Sequence, residues 1–221
     1  MSIEIRKNSN DKEIIDFVST VINQKLGLGK KVIWFISGGS AIAVEIEIAK
    51  KINEINAGNL VVSLMDERYG ITGHENSNWK SLLSKGFEIP GASLYSVLKG
   101  KDISETTKDF MDFLKIELER ADYKIGLFGV GPDGHTAGIL PNSEALNSNE
   151  LASFYITPQY DRITITPKTI EMLDEAVVYA MGESKWPVVE KLEENLSIQD
   201  APVHMLKKIP LLTIFTDYKV E

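Results

Sequence analysis

The sequence predicts an α/β protein with a doubly wound, mostly parallel β-sheet and helices on both faces. Short apolar runs rich in β-forming residues alternate along the chain with longer segments of helical periodicity. The apolar runs show no alternation with polar residues, which is typical of strands buried on both faces. A length of 221 residues fits one core, so we expect a single domain over residues 1–221.

The first half of the chain contains two helices and two strands by these criteria. Asn10 and Asp11 precede an apolar stripe that predicts a helix ending near residues 27–29. The run 32–36 predicts a buried strand. Helical spacing resumes over residues 42–55, and the run 60–64 predicts the next strand.

The second half continues the alternation. Its predicted helices and strands are a helix at 103–121, strands at 124–130, 163–166 and 176–181, a helix at 184–194 and a last strand at 211–215. Short clusters rich in Pro, Asn and Ser between them are typical of surface loops.

The composition limits the partners and the compartment. Lys and Arg number 24 and Asp and Glu number 32, giving a net charge of −8, which disfavours binding to nucleic acid or to an anionic membrane surface. There is no cysteine, which excludes disulfides and thiolate chemistry. With no signal-peptide pattern and no long apolar run, we expect a cytoplasmic protein.

The first candidate site is the segment Ser37-Gly38-Gly39-Ser40, between a predicted strand and a predicted helix. Ligands of open parallel sheets bind beyond the carboxyl ends of the strands. Glycines allow a close approach of the backbone, and the N–H groups at a helix start attract anions. A phosphate site and an ordinary tight turn with Ser40 as the N-cap explain the segment equally well.

The second candidate is Asp66-Glu67-Arg68, which follows the strand predicted at 60–64. The forked donors of Arg68 suit a carbonyl or carboxylate group of a ligand. A salt-bridge network that only holds the loop is the alternative. His74, further along, is interpreted as a loop residue.

The third candidate is the segment 129–135, where three glycines fit the pattern GxGxxG. We reject a dinucleotide site, because Pro132 removes a backbone donor and Asp133 adds negative charge where pyrophosphate would lie. The alternative is a Pro-Asp-Gly turn with an exposed histidine. Asp133 is close enough in sequence to orient His135, which could then take a proton from water and return it to a leaving oxygen.

Two cationic residues, in separate parts of the chain, are the last candidate site residues. Arg162 precedes the strand at 163–166, and Lys185 follows a Gly-Glu-Ser segment at a strand-to-helix junction. Either side chain could be a solvated surface charge. Together with the Ser37–Ser40 turn they could enclose a phosphate.

The ordered motifs SGGS, DER with a downstream SN, GxGPDGHTA with a following LP, RIT and GESK resemble those of the 6-phosphogluconolactonase family over most of the chain. The resemblance implies a doubly wound fold related to sugar-phosphate isomerases. It also implies hydrolysis of 6-phospho-D-glucono-1,5-lactone to 6-phosphogluconate in the pentose phosphate pathway, with no metal and no organic cofactor.

The resemblance further implies roles for individual residues. His135 matches the expected general base and Asp133 its orienting partner, while Arg68 matches the arginine expected to stabilise charge on the carbonyl oxygen. Substrate and phosphate binding is implied for Gly38, Gly39, Ser40, Asp66, Arg162 and Lys185. The chain departs from the usual motifs at Ala41-Ile42, after SGGS, and at Asn142, after the LP.

Two alternatives stay open at this point. A glucosamine-6-phosphate deaminase has related motifs, but Arg68 stands where that enzyme has Tyr, and Ile139-Leu140 replace its Asn-Glu pair. A non-catalytic sugar-phosphate sensor would need an output module. We therefore expect a lactonase that acts on a small phosphorylated sugar lactone, as a monomer and without nucleic-acid or membrane partners.

Overall fold

The computed structural model describes residues 2–192 and 194–219. Its helices are α1 (Asp11–Gly27), α2 (Ile42–Lys50), α3 (Asn78–Ser84), α4 (Ile103–Arg120), α5 (Pro167–Ile170) and α6 (Trp186–Lys191). Its strands are β1 (Ser2–Arg6), β2 (Val32–Ile36), β3 (Leu60–Leu64), β4 (Asp66–Arg68), β5 (Ser93–Tyr95), β6 (Tyr123–Gly129), β7 (Ala152–Tyr155), β8 (Arg162–Ile165), β9 (Glu175–Tyr179) and β10 (Leu211–Phe215).

Seven strands form one sheet in the order β1-β10-β9-β6-β2-β3-β5, and every neighbouring pair in it is parallel. The predicted doubly wound α/β class is therefore confirmed. Strand β2 shows why its sequence is apolar throughout. Trp34 lies in the core under α1 and α2, whereas its neighbours Ile33 and Phe35 lie in the core on the α4 side, so both faces of the strand are covered.

The strand predicted at 163–166 forms, as β8, but it lies in a second sheet. This sheet has three antiparallel strands in the order β4-β8-β7. A parallel partner would need a long crossover, usually helical, whereas antiparallel strands need only a short connection. Between β6 and β7 the only helical segment described is a 3-10 turn at Glu144–Asn147, so this region folds back on itself.

The helix predicted at 42–55 ends earlier, at Lys50, and is followed by a 3-10 segment at Glu54–Asn59. The side chain of Asn23 on α1 explains the break. Its amide donates to the carbonyl of Lys51 at 2.8 Å and accepts from the backbone N–H of Asn53 at 2.8 Å. These bonds occupy backbone groups that a longer helix would use internally. The helix predicted at 184–194 is also shorter and begins as a 3-10 turn.

The register of the main sheet places the candidate motifs side by side. Ile36 at the end of β2 pairs with Leu64 on β3 and with Leu127 on β6, so the three strands end at nearly the same level. The segments that follow them therefore emerge next to one another at the carboxyl edge. Within the described ranges, no helix is long and apolar enough to cross a membrane.

Candidate active site

A cleft of about 120 Å³ opens at the carboxyl edge of β2, β3 and β6. Segments from both sheets contribute to it. Its lining includes Ser37, Gly38, Gly39, Ser40, Asp66, Arg68, Asn78, Gly129, Val130, His135, Ala137, Gly138 and Arg162. The structure thus brings most of the predicted site residues together, although they are spread over more than half of the sequence.

The Ser37–Ser40 turn joins β2 to α2 in a conformation that needs glycine. Gly38 and Gly39 have φ angles of +74° and +59°, in the left-handed region that side chains disfavour. A Cβ atom at Gly38 would also lie 3.1–3.3 Å from the Asn78 side chain. Gly39 and Ser40 are exposed at the rim of the cleft, where their backbone can approach a ligand.

Glu67 explains the spacing between the DER motif and the downstream SN. Its carboxylate is completely buried and accepts the backbone N–H groups of Asn78 at 2.7 Å and Trp79 at 3.0 Å, at the start of α3. It also accepts the Ser77 hydroxyl at 2.9 Å and the Arg68 N–H at 2.8 Å. Glu67 therefore fixes both the helix start and the strand that carries Arg68.

Asp66 and Arg162 form a buried pair across β4 and β8. Nη1 of Arg162 lies 3.1 Å from Oδ2 of Asp66, and the two side chains are 14% and 7% exposed. Burial raises the pKa of the Asp66 carboxyl, and the charges of Arg162 and Arg68 oppose that rise. Gly138 gives this pair its space, because a Cβ there would lie 2.4 Å from the Asp66 carboxylate.

Arg68 enters the same cleft with a restricted side chain. Its Nη1 donates to the carbonyl of Asn76 at 3.0 Å, and its guanidinium lies 5.6 Å from the centre of the Tyr160 ring. Its Nε is buried and has no hydrogen-bond partner within the described structure. An arginine held in this way keeps donors free for an oxygen atom of a ligand.

His135 and Asp133 form the predicted pair. Nδ1 of His135 lies 2.6 Å from Oδ1 of Asp133, and that oxygen also accepts the His135 backbone N–H at 3.1 Å. Burial tends to raise the pKa of Asp133, but the hydrogen bonds and charge of His135 outweigh it and the pKa is lowered. A carboxylate that binds Nδ1–H leaves Nε2 as the nitrogen able to accept a proton.

The loop between β6 and this histidine has room for the imidazole because residue 131 is glycine. A Cβ at Gly131 would lie 2.1 Å from the His135 ring. The N–H of Gly131 donates to the carbonyl of His135 at 2.9 Å, which closes the loop. The three glycines that fit a dinucleotide-binding pattern therefore belong to a loop that accommodates the His135 side chain.

Lys185 approaches the Ser37–Ser40 turn from the segment before α6. Its Nζ donates to the Ser40 hydroxyl at 3.0 Å, and the residue is only 9% exposed. Within residues 2–192 and 194–219, no carboxylate lies within ion-pair distance of this ammonium. Burial lowers its pKa, and the nearby charge of Asp217 opposes this. A buried cation that lacks a carboxylate partner is suited to an anionic ligand.

Sequence reasoning identified most, but not all, of the residues that shape this cleft. His74 lies outside the lining and binds the carbonyl of Arg68 through Nε2 at 2.9 Å, as expected of a loop residue. Asn78, whose amide donates to the Asp66 carbonyl at 3.1 Å, stands out in the sequence only as part of the SN motif. Glu45, buried beneath the Ser37–Ser40 turn, was missed. Its signal was a carboxyl group within the apolar stripe of α2.

No group of three His, Asp or Glu side chains in the described part of the chain is arranged to hold a metal ion. The fold and cleft define an α/β protein with a histidine–carboxylate pair beside a cationic, glycine-rich turn. This arrangement is typical of enzymes that act on small anionic substrates.

Comparison with known proteins identifies the family. The family model described as glucosamine-6-phosphate isomerases/6-phosphogluconolactonase matches residues 9–213. The chain belongs to this family, as the sequence motifs predicted. A 6-phosphogluconolactonase from Borreliella burgdorferi is 31% identical over 176 residues, which cover 71% of each chain.

Solved structures show the same fold. A 6-phosphogluconolactonase from Shewanella baltica superimposes with a TM-score of 0.79 at 16% identity, covering 97% of this chain and 98% of that one. A monomeric glucosamine-6-phosphate deaminase superimposes with a TM-score of 0.80, also at 16% identity, with 96% of each chain covered. The fold is thus common to lactonases and a deaminase. The side chains of the cleft must therefore distinguish the two activities.

Proposed function

We propose that this protein hydrolyses 6-phospho-D-glucono-1,5-lactone to 6-phosphogluconate, the reaction of the pentose phosphate pathway. The observation that carries the proposal is the His135–Asp133 pair at 2.6 Å, in the same cleft as the Ser37–Ser40 turn and two arginines. The curated relatives named as lactonases support the same reaction.

The phosphate group of the substrate binds at the exposed end of the turn. The backbone at Gly39 and Ser40, the Ser40 hydroxyl and the Lys185 ammonium supply the donors. Gly38 gives the turn its shape. Binding at this point holds the rest of the molecule over the cleft, so that the energy of phosphate binding positions the lactone carbonyl.

His135 is the general base. Asp133 holds Nδ1–H, so Nε2 removes a proton from a water molecule as the water oxygen bonds to C1 of the lactone. The bond between C1 and the ring oxygen then breaks, and His135 returns the proton to that oxygen. The product is a carboxylic acid, which ionises and releases one proton per turnover.

The two arginines of the cleft have different roles. As water adds to C1, negative charge develops on the carbonyl oxygen, and donors fixed before the reaction stabilise it most effectively. Arg68 supplies them to this oxygen. Arg162, held by Asp66, keeps a second guanidinium in the cleft for substrate binding.

A deaminase is the alternative within the same fold. The residues at 139 and 140, where a deaminase has Asn and Glu, are Ile and Leu, and Ile139 is completely buried in the core. They cannot supply a carboxylate to the cleft. This difference favours the lactonase.

The test is to follow acid release from freshly made 6-phosphogluconolactone beside ammonia release from glucosamine 6-phosphate. We expect acid release well above the spontaneous rate and no ammonia. Ammonia release would assign the protein to the deaminases, and binding of either compound without turnover would indicate a sensor.

We also propose that the protein acts in the cytoplasm as a monomer. The absence of cysteine among its 221 residues supports a reducing compartment, and the net charge of −8 supports a small-molecule substrate rather than nucleic acid. Fractionation of cells tests the compartment. Light scattering of the purified protein tests the oligomeric state.

A further inference from the structure

Glu45 is a carboxyl group inside the apolar stripe of α2. It shares one helical face with Ile42, Ile46 and Ala49, which are buried, and its own side chain is 0% exposed. Charged residues are almost never fully buried without a partner, so this position calls for an explanation.

The partner of Glu45 is the Ser37–Ser40 turn itself. Its Oε1 accepts the backbone N–H of Ser37 at 2.7 Å and that of Gly38 at 3.1 Å, and the Ser37 hydroxyl lies at 3.3 Å. The second oxygen lies 3.2 Å from the Gly38 nitrogen. Two N–H groups of the turn are thus bound to a carboxylate of the protein before any ligand arrives.

None of the Lys, Arg or His side chains within the described ranges forms an ion pair with Glu45. The charged groups of the cleft and of the turn lie on other elements. Asp66 on β4 repels Glu45, Arg162 on β8 is bound to Asp66, and Lys185 before α6 is bound to Ser40. Burial raises the pKa of Glu45 to about 7, and the charge of Asp66 adds to the rise.

We propose that Glu45 is a positioning residue of the phosphate-binding turn whose negative charge opposes the bound phosphate, so that the protein takes up a proton at Glu45 when a phosphorylated ligand binds. The inference rests on the proposed function, because it needs a phosphate group at Gly39, Ser40 and Lys185.

The coupling follows from the geometry. The Glu45 carboxylate accepts the N–H groups of Ser37 and Gly38, and the phosphate binds at the next two residues, Gly39 and Ser40. The carboxylate and the phosphate are therefore two anions bound to the same four-residue turn. At an effective dielectric constant of about 20, two unit charges roughly 10 Å apart repel enough to weaken phosphate binding by about tenfold. Linkage requires the reciprocal effect, in which the phosphate favours the protonated carboxyl.

The test compares the affinity of the wild-type protein and of Glu45→Gln for 6-phosphogluconate across pH. Glutamine keeps one oxygen as an acceptor for the turn but carries no charge. At pH 6 most of the wild-type carboxyl is protonated, and we expect equal affinities. At pH 8.5 we expect the variant to bind about tenfold more tightly than the wild type. Ionisation of the phosphate itself is common to both proteins and cancels in the ratio.

Glu175→Gln is the matched control. Glu175 is also a buried carboxyl whose pKa is raised by burial, but it begins β9 at the opposite edge of the sheet. Its replacement should leave the affinity ratio at one throughout. Calorimetry in two buffers of different ionisation enthalpy should also show proton uptake in the wild type and in this control, and less in Glu45→Gln.

Each outcome decides a separate point. If 6-phosphogluconate binds neither protein, the phosphate site is wrong and the inference fails with it. If it binds both with a ratio that does not change with pH, the site stands and the opposing charge of Glu45 is refuted. Weaker binding by Glu45→Gln at every pH would reduce Glu45 to a structural residue and overturn the proposal.

A measurement on the wild-type protein avoids dependence on the folding of the variant. In protein labelled with ¹³C at the glutamate carboxyls, the assigned resonance of Glu45 should titrate near neutral pH, and its midpoint should move to higher pH with 6-phosphogluconate. A midpoint that does not move when the ligand is bound would contradict the coupling.

Discussion

In the proposed mechanism, the chemistry of the cleft depends on the short contact between His135 and Asp133. In His135→Ala we expect kcat to fall by roughly 10²- to 10⁴-fold, because a positioned proton acceptor contributes about that much. Binding of 6-phosphogluconate should change little, since the proposed phosphate contacts lie at other residues. Steady-state kinetics and calorimetry with the product measure the two effects separately.

Asp133→Asn serves as the graded control for this prediction. It removes the acceptor of Nδ1–H but keeps the imidazole, so kcat should fall less than in His135→Ala. Unchanged turnover in His135→Ala would show that His135 is not the general base.

The proposed role of Arg68 requires it to present two donors in a fixed plane. Lysine keeps the charge but cannot hold the Asn76 carbonyl and point a second donor at the substrate in the same geometry. We expect kcat in Arg68→Lys to fall by about 10- to 100-fold. Arg120→Lys, at the exposed end of α4, is the matched control, and wild-type turnover in Arg68→Lys would refute the role.

At the scale of residues, the sequence indicated the groups that carry chemistry better than the groups that hold them. His135, Arg68 and Lys185 follow strand or turn signals that are visible in the sequence. The contacts of Glu45 with Ser37 and Gly38, and of Glu67 with α3, depend on a carboxyl being buried, which periodicity alone does not reveal. The catalytic and binding roles stay predictions.

The start of α3 shows how one side chain supports an element. Glu67→Ala leaves buried N–H groups at Asn78 and Trp79 without an acceptor. Hydrogen bonds to a charged group contribute about 1.5–3 kcal/mol each, and losses are not additive, so we expect the free energy of unfolding to fall by roughly 2–4 kcal/mol. Turnover should fall as well, because Arg68 and Asn78 are both positioned by Glu67.

Urea unfolding and kcat measure the two effects. Glu75→Ala, an exposed residue of the same loop, is the control and should change neither. Equal stability of the two variants would contradict the supporting role of Glu67.

Among the elements, the long periodic helices and the apolar strands β2, β3 and β10 have bounds close to those predicted, whereas the shortest strands were not predictable. Helices α1 and α4 lie close to their predicted bounds, because a long stripe of apolar residues fixes them. The three-residue strands β4 and β5 carry no periodicity, and β8 forms with antiparallel neighbours. Pairing between distant segments decided these cases, and local sequence does not encode it.

The two sheets of the molecule share a hydrophobic cluster, and the chain carries a strongly negative charge. Residues of both sheets, such as Ile33 on β2 and Ile163 on β8, belong to the same hydrophobic cluster, which supports the single domain that we predict over residues 1–221. The net charge of −8 repels an anionic substrate, so we expect binding to depend on the few cations at the carboxyl edge.

The most direct test of the account compares a phosphorylated and an unphosphorylated lactone in one variant. Lys185→Ala removes the buried ammonium beside Ser40. A charge-assisted contact contributes about 1.5–3 kcal/mol, so kcat/KM for 6-phosphogluconolactone should fall about ten- to a hundredfold. The value for gluconolactone, already much lower, should hardly change, and Lys115→Ala on the exposed face of α4 should affect neither. An equal loss on both lactones would show that Lys185 maintains the fold or the catalytic centre and does not bind phosphate.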